Sequence, residues 1–264
     1  MLMPRSGSRV NSPVSGLSNM LGCGVELYCM KVFQLMFKRE TVVPMMALSF
    51  ASIVSVALVI GRMVWLHETR FGFLIWNLFL AWMPMIFALL AREHQRVGAS
   101  PGWRFLAFGA AWLLFFPNAP YIFTDIVHLS HFYYGRFWMD LMLVLISALT
   151  GMVIGFVSLY LMQSAVRHLA GEFMSWLFIA AVAVLSGFGI CLGRFLRLNS
   201  WDVVAPAKMY HTIGAWAQQT SMASTSIGFS MLFAAFVFLS YLMLYALTHL
   251  SPPQLNPAPI VKAA

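Results

Sequence analysis

The spacing between ionisable residues constrains this chain more than any other feature. Stretches free of Asp, Glu, Lys and Arg run over 41–61, 71–91, 105–124, 141–166 and 173–193, and a sixth apolar run covers about 227–247. A bilayer core about 30 Å thick takes about 20 apolar residues to cross as a helix, so each window has the length of one span. Within hydrocarbon every backbone N–H and C=O must be satisfied by the protein itself, which leaves helices and closed barrels. Continuous apolar runs lack the alternation of a barrel strand. The expected fold class is therefore all-α, a polytopic transmembrane helical bundle of about six spans. Composition agrees: 61% of the 264 residues are hydrophobic and 9% are charged, against about 25% charged in soluble domains.

The flanks read differently. Residues 1–40 are polar and Pro/Gly/Ser-containing at first, then mixed over 25–37, where Glu26, Lys31 and Gln34 interrupt the apolar residues. They are expected to form an N-terminal tail, partly disordered, with a surface helix. Met20-Leu21-Gly22-Cys23 is a faint lipoprotein-type box, but no apolar segment precedes it. Residues 41–250 form the membrane domain, and the Pro-rich 251–264 a disordered C-terminal tail. Cys23, Cys29 and Cys191 contain no CxxC pair and imply no disulfide framework.

The formal charge of +8 is scattered singly among apolar runs, which excludes a nucleic-acid-binding stripe. It serves topology instead. With six spans and alternating loops, ten of the sixteen Lys and Arg residues fall on the side of the termini and six on the other. Basic residues accumulate on the cytoplasmic side, so both termini are expected in the cytoplasm, in a bacterial inner membrane. Glu26, Glu40, Glu93 and Glu172 then lie inside, whereas Asp125, Asp140, Asp202 and Glu68 lie outside. The third and fifth loops, with Asn118, His128, His131, Arg194, Arg197 and Asn199, form an outward-facing polar cluster.

The third span is anomalous. Its apolar helix from 105 to 116 is only about 18 Å long and meets Pro117-Asn118-Ala119-Pro120. Two prolines remove two backbone donors and bias their predecessors away from helix, so this span is expected to break at the Pro-Asn-Ala-Pro element, with Asn118 capping the restart. If helix resumes over 120–133, Tyr121, Asp125 and His128 share one face, with Ile122, Ile126 and Leu129 on another. An Asp and a His three apart can pass a proton or contribute to a metal site. Two ligands do not make a site, so no metal is assigned. The plainer reading is an interfacial helix whose Asp and His face water beside an aromatic belt at Tyr133, Tyr134, Phe137 and Trp138.

Asp140 begins the fourth span, where an acidic residue complements the helix dipole. Gly151 and Gly155, and again Gly189 and Gly193, have the spacing that permits close helix contact, favouring packing within the chain over dimerisation. Arg194 and Arg197 are three apart and are expected to project from one helix face, where two guanidiniums can fork a phosphate. The plainer reading is snorkelling to the interface, or pairing with Asp125, Asp140 or Asp202. Within the spans only Asn77, Gln163 and some Ser and Thr are polar, which argues against a charged ion pathway. No P-loop, nucleophile elbow, HExxH, EF-hand or Rossmann pattern is present.

The stretch Phe115-Phe116-Pro117-Asn118-Ala119-Pro120-Tyr121-Ile122-Phe123-Thr124-Asp125-Ile126-Val127-His128-Leu129 and the later Gly193-Arg194-Phe195-Leu196-Arg197-Leu198-Asn199-Ser200-Trp201-Asp202 resemble the two signature elements of the domain of unknown function 1361 family. That family comprises prokaryotic multi-pass membrane proteins, and the resemblance covers about 73–247. It implies the span count and supplies no activity. On the residues, Asp125 and His128 are the candidate catalytic pair. Arg194, Arg197, Asn118, Tyr121, Asn199 and Asp202 are the candidate substrate-binding set for an anionic lipid-linked substrate at the outer interface. A small-solute transporter, suggested by the broken third span, and a structural or assembly subunit are the alternatives. Membrane lipids are the expected partners; a cofactor, a protein partner and a second copy stay unassigned.

Overall fold

The computed structural model describes residues 42–96, 102–131, 136–198, 202, 205–218 and 220–249. Among them the structure is helical: α1 (Val42–Leu66), α2 (Gly72–Arg96), α3 (Trp103–Phe115), the single turn α4 (Asn118–Tyr121), a 3₁₀ helix (Ile122–His131), α5 (Phe137–Ala170), α6 (Glu172–Arg194), α7 (Pro206–Gln218) and α8 (Thr220–Thr248). Six segments are long and apolar enough to cross a bilayer: Val42–Leu66, Gly72–Gln95, Trp103–Val127, Phe137–Ala170, Glu172–Arg194 and Ala223–Thr248. The chain is an integral membrane protein, and exposed apolar side chains such as Phe50, Trp76 and Leu232 face lipid rather than water. The two expected tails lie outside the described residues.

α5 is the axis of the bundle. Its 34 residues make about 51 Å of helix, and α1, α2, α4, the 3₁₀ helix and α6 all pack on it, while α8 packs on α6 and α7 on α8. Lipid tails are as apolar as leucine, so helices associate here through close packing and interhelical hydrogen bonds. α5 buries Ser147, Ala148, Gly151, Gly155 and Ser158. Ser147 Oγ lies 2.8 Å from Ser55 Oγ of α1, and Trp112 Nε1 of α3 donates to Ser158 Oγ at 3.2 Å.

The third span is bent where the prolines put the bend. α3 contributes 13 residues, about 20 Å, and the chain then turns through Pro117 into α4 and the 3₁₀ helix. The bend strands carbonyls that an unbroken helix would satisfy. Ala119 N–H bonds Phe116 O at 3.1 Å instead of Phe115 O, and the side-chain amide of Asn118 donates to Phe115 O at 2.9 Å. Asn118 was expected to cap the restart. It reaches backwards instead, because the carbonyl behind it lost its donor; the residue at the N-cap is Pro117, with no side-chain cap.

Both glycine pairs face this broken segment. A Cβ at Gly155 would fall 2.6 Å from Ala119 Cβ, and one at Gly151 2.6 Å from Ile122 Cδ1; from the other side, one at Gly189 would fall 2.9 Å from Pro117 Cγ and one at Gly193 3.2 Å from Tyr121 Cε2. α5 and α6 thus clamp α4 between surfaces stripped of side chains.

Candidate functional site

The 3₁₀ helix turns the third span's polar residues differently from an α-helix. With about three residues per turn, Ile122 and Asp125, three apart, come to the same buried side; Leu129 is buried too, while Ile126 and Val127 are exposed. This corrects the expectation that Asp125 lies on a different face from Ile122 and Leu129. Asp125 is 2% exposed, so the reading in which it faces water does not hold. A buried carboxylate needs partners. Asn77 Nδ2 of α2 donates to Asp125 Oδ2 at 2.8 Å, and Arg194 Nη1 approaches Oδ1 at 3.4 Å. Arg194 also donates through Nη2 to Thr124 O at 2.8 Å. The third-span break and the end of the fifth span, distant in order, therefore meet. Arg194 is the last residue of α6, where a cation also complements the helix dipole.

Beside Asp125 lies a cleft of about 340 Å³. α2 lines it with Phe73, Trp76, Asn77 and Leu80, residues at the spacing of one helix face. Asn118, Tyr121 and Asp125 form its polar floor, and Gly189, Leu192 and Gly193 of α6 the opposite wall. The cleft lies at the bend: Leu114, Pro117 and Asn118 line it, and Ala119 packs against Gly155 of α5.

Arg197 is placed elsewhere. α6 stops at Arg194, Leu198 N–H returns to Leu192 O at 3.0 Å, and Arg197 is exposed with φ 54°, in the left-handed region. Arg194 and Arg197 therefore do not project from one helix face as expected, because the helix ends between them. Asp202 is buried and accepts from Lys208 Nζ at 2.7 Å. That ion pair ties the loop to α7, whose Met209 lines the cleft. Asn199 and the side chains of His128 and His131 lie outside the described residues. Among the described residues no three His, Cys, Asp or Glu side chains gather as a metal site would require. The sequence reading gave no role to Asn77, Trp76 or Lys208. Asn77 had a signal, as a polar amide in an otherwise apolar span.

A second polar cluster occupies the same end of the bundle. Arg62, near the end of α1, donates through Nε to Asp140 Oδ1 at 2.8 Å and through Nη2 to Asp140 Oδ2 at 3.0 Å; Nη1 reaches Glu68 Oε2 at 3.2 Å. The guanidinium also lies 4.8 Å from the centre of the Phe71 ring. Asp140 is 1% exposed. It does begin α5, but its main partner is a buried arginine 78 positions away rather than the helix dipole alone.

A family model described as Protein of unknown function (DUF1361) matches residues 76–244, from the cleft wall at Trp76 into α8. No curated protein and no solved structure matches the chain significantly.

Proposed function

The chain belongs to the DUF1361 family of unknown function, and from that premise we propose that it binds the polar head of an anionic lipid-linked substrate at the outer face of a bacterial inner membrane, with both termini cytoplasmic. The observation that carries this reading is the Asn77–Asp125–Arg194 set beside a cleft whose other walls are largely apolar. The amides of Asn77 and Asn118 and the hydroxyl of Tyr121 offer hydrogen bonds of both senses to hydroxyl and ester oxygens. Arg194, Arg197 and Lys208 outnumber Asp125 and Asp202 around the same loops, which biases the local potential towards anions. The Arg194 guanidinium, held by Asp125 and by Thr124 O, adds positive potential beside the cleft. Where binding is followed by chemistry, Asp125 and His128, three residues on, are the proposed proton-transferring pair.

The test is lipid retention by native mass spectrometry, using protein in nanodiscs of mixed phosphatidylglycerol and phosphatidylcholine. Retained phosphatidylglycerol is expected to fall about tenfold in a variant carrying Asn118→Ala and Tyr121→Phe, two residues that line the cleft, the effect of losing about 1.4 kcal/mol of hydrogen bonding. Equal retention of both lipids, unchanged in the variant, refutes the proposal.

A small-solute transporter is the second reading, favoured by the broken third span lining a cleft. It requires that a cysteine placed at Asn118 react from both sides of the membrane under different conditions; one-sided labelling in every condition removes it.

A further inference from the structure

We infer that the cleft opens sideways into the outer leaflet between α2 and α6, and that Trp76, Leu114 and Leu192 form a subsite for the ligand's hydrocarbon chain. This rests on the proposed binding of a lipid-linked head and adds the route and the second subsite.

Four observations carry it. First, α3 ends at Phe115, and the following turn packs inward, Ala119 against Gly155. Leu114, in the last turn of α3, and Pro117 line the cleft beside that turn. Second, the helices flanking the cleft are held by other neighbours. α2 packs on α3 and α5, and α6 packs on α5 and α8, while direct contact between α2 and α6 is sparse. Third, the rim is apolar and faces outward: Trp76 is 53% exposed and Leu114 38%. Both belong to membrane-spanning segments, so the medium at that rim is hydrocarbon. A polar floor with an apolar rim opening into lipid matches an amphiphile lying across the boundary. Fourth, a volume of about 340 Å³ is at the small end of ligand pockets, which run from about 300 to 1,000 Å³. It holds a head group and leaves no room for the chains, which must therefore lie outside it, along Trp76, Leu114 and Leu192.

The experiment uses the unaltered full chain in phosphatidylcholine nanodiscs doped with phosphatidylglycerol that carries a diazirine midway along one acyl chain. After irradiation, labelled residues are mapped by peptide mass spectrometry. Labelling at Trp76, Leu114 and Leu192 is expected to exceed that at the lipid-facing Phe50 and Ile53 of α1 by about fivefold, the preference that about 1 kcal/mol confers. The excess should disappear in Leu114→Trp, which fills the cleft at its rim. Uniform labelling of all lipid-facing helices overturns the inference. If labelling is uniform while phosphatidylglycerol retention still depends on Asn118 and Tyr121, the head-group proposal stands and the lateral subsite falls. If a diazirine phosphatidylcholine gives the same excess, the chain subsite stands and the preference for an anionic head falls.

Discussion

Replacing Asp140 by Ala should expose what holds the outer end of the bundle together. The substitution leaves Arg62 with a side chain 6% exposed and two of its hydrogen bonds gone, at 2.8 and 3.0 Å. Breaking a buried pair by removing one partner typically costs about 3–5 kcal/mol, because a charge is left uncompensated. Glu68 remains, 3.2 Å from Nη1, but its side chain is 41% exposed, and a pair of that kind returns no more than about 1 kcal/mol. The expected loss is therefore about 2–4 kcal/mol. At about 2–4 °C per kcal/mol for a chain of this size, the unfolding midpoint should drop by roughly 10 °C, read by tryptophan fluorescence of the purified protein in lipid. The unpaired charge, not the lost volume, causes that drop. An Arg62→Met, Asp140→Leu double variant should then regain most of the stability, since apolar replacement of a buried pair is often neutral or better. A double variant less stable than Asp140→Ala alone, or a single substitution costing under about 0.5 kcal/mol, would show the reasoning to be wrong.

Four further outcomes are expected. Gly155→Leu drives a side chain into Ala119, already 2.6 Å from the ideal Cβ, and should cost about 1–3 kcal/mol by overpacking while abolishing phosphatidylglycerol retention. Gly61→Ala, with nothing within 4 Å, should gain about 0.5–1 kcal/mol of helix stability; both are read by thermal unfolding. Tyr241→Phe removes the hydroxyl that donates to Gln163 Oε1 at 2.5 Å, leaving a buried acceptor unsatisfied at about 1–3 kcal/mol. Adding Gln163→Leu should recover part of that loss in a double-mutant cycle. Asn77→Leu withdraws the amide donor from Asp125 and should cost about 1.5–3 kcal/mol, as for hydrogen bonds to charged groups, with a parallel fall in retained lipid seen by native mass spectrometry.

The membrane class, the number of spans and the place of the break could be read from the chain itself. All three follow from quantities local in sequence: the distance between charges measured against a fixed bilayer thickness, and two missing proline N–H groups. The family signature elements were legible for the same reason, as contiguous runs. The site was legible only in outline. Asn118, Tyr121, Asp125 and Arg194 do come together, but the 3₁₀ turn that buries Asp125 and the stop of α6 ahead of Arg197 were misread from helical spacing alone. Pairing of Arg194 with Asp125 was among the options that the sequence left open, but the partners of Asn77 and Arg62 were beyond reach. Asn77 meets Asp125 across 48 positions, and Arg62 meets Asp140 across 78. How closely Arg194 can approach Asp125 depends on how closely α5 and α6 pack on the broken segment, where Gly151, Gly155, Gly189 and Gly193 present bare faces. A chain states where its charges are; in hydrocarbon, where an unpaired charge costs several kcal/mol, the packed bundle decides which of them must meet.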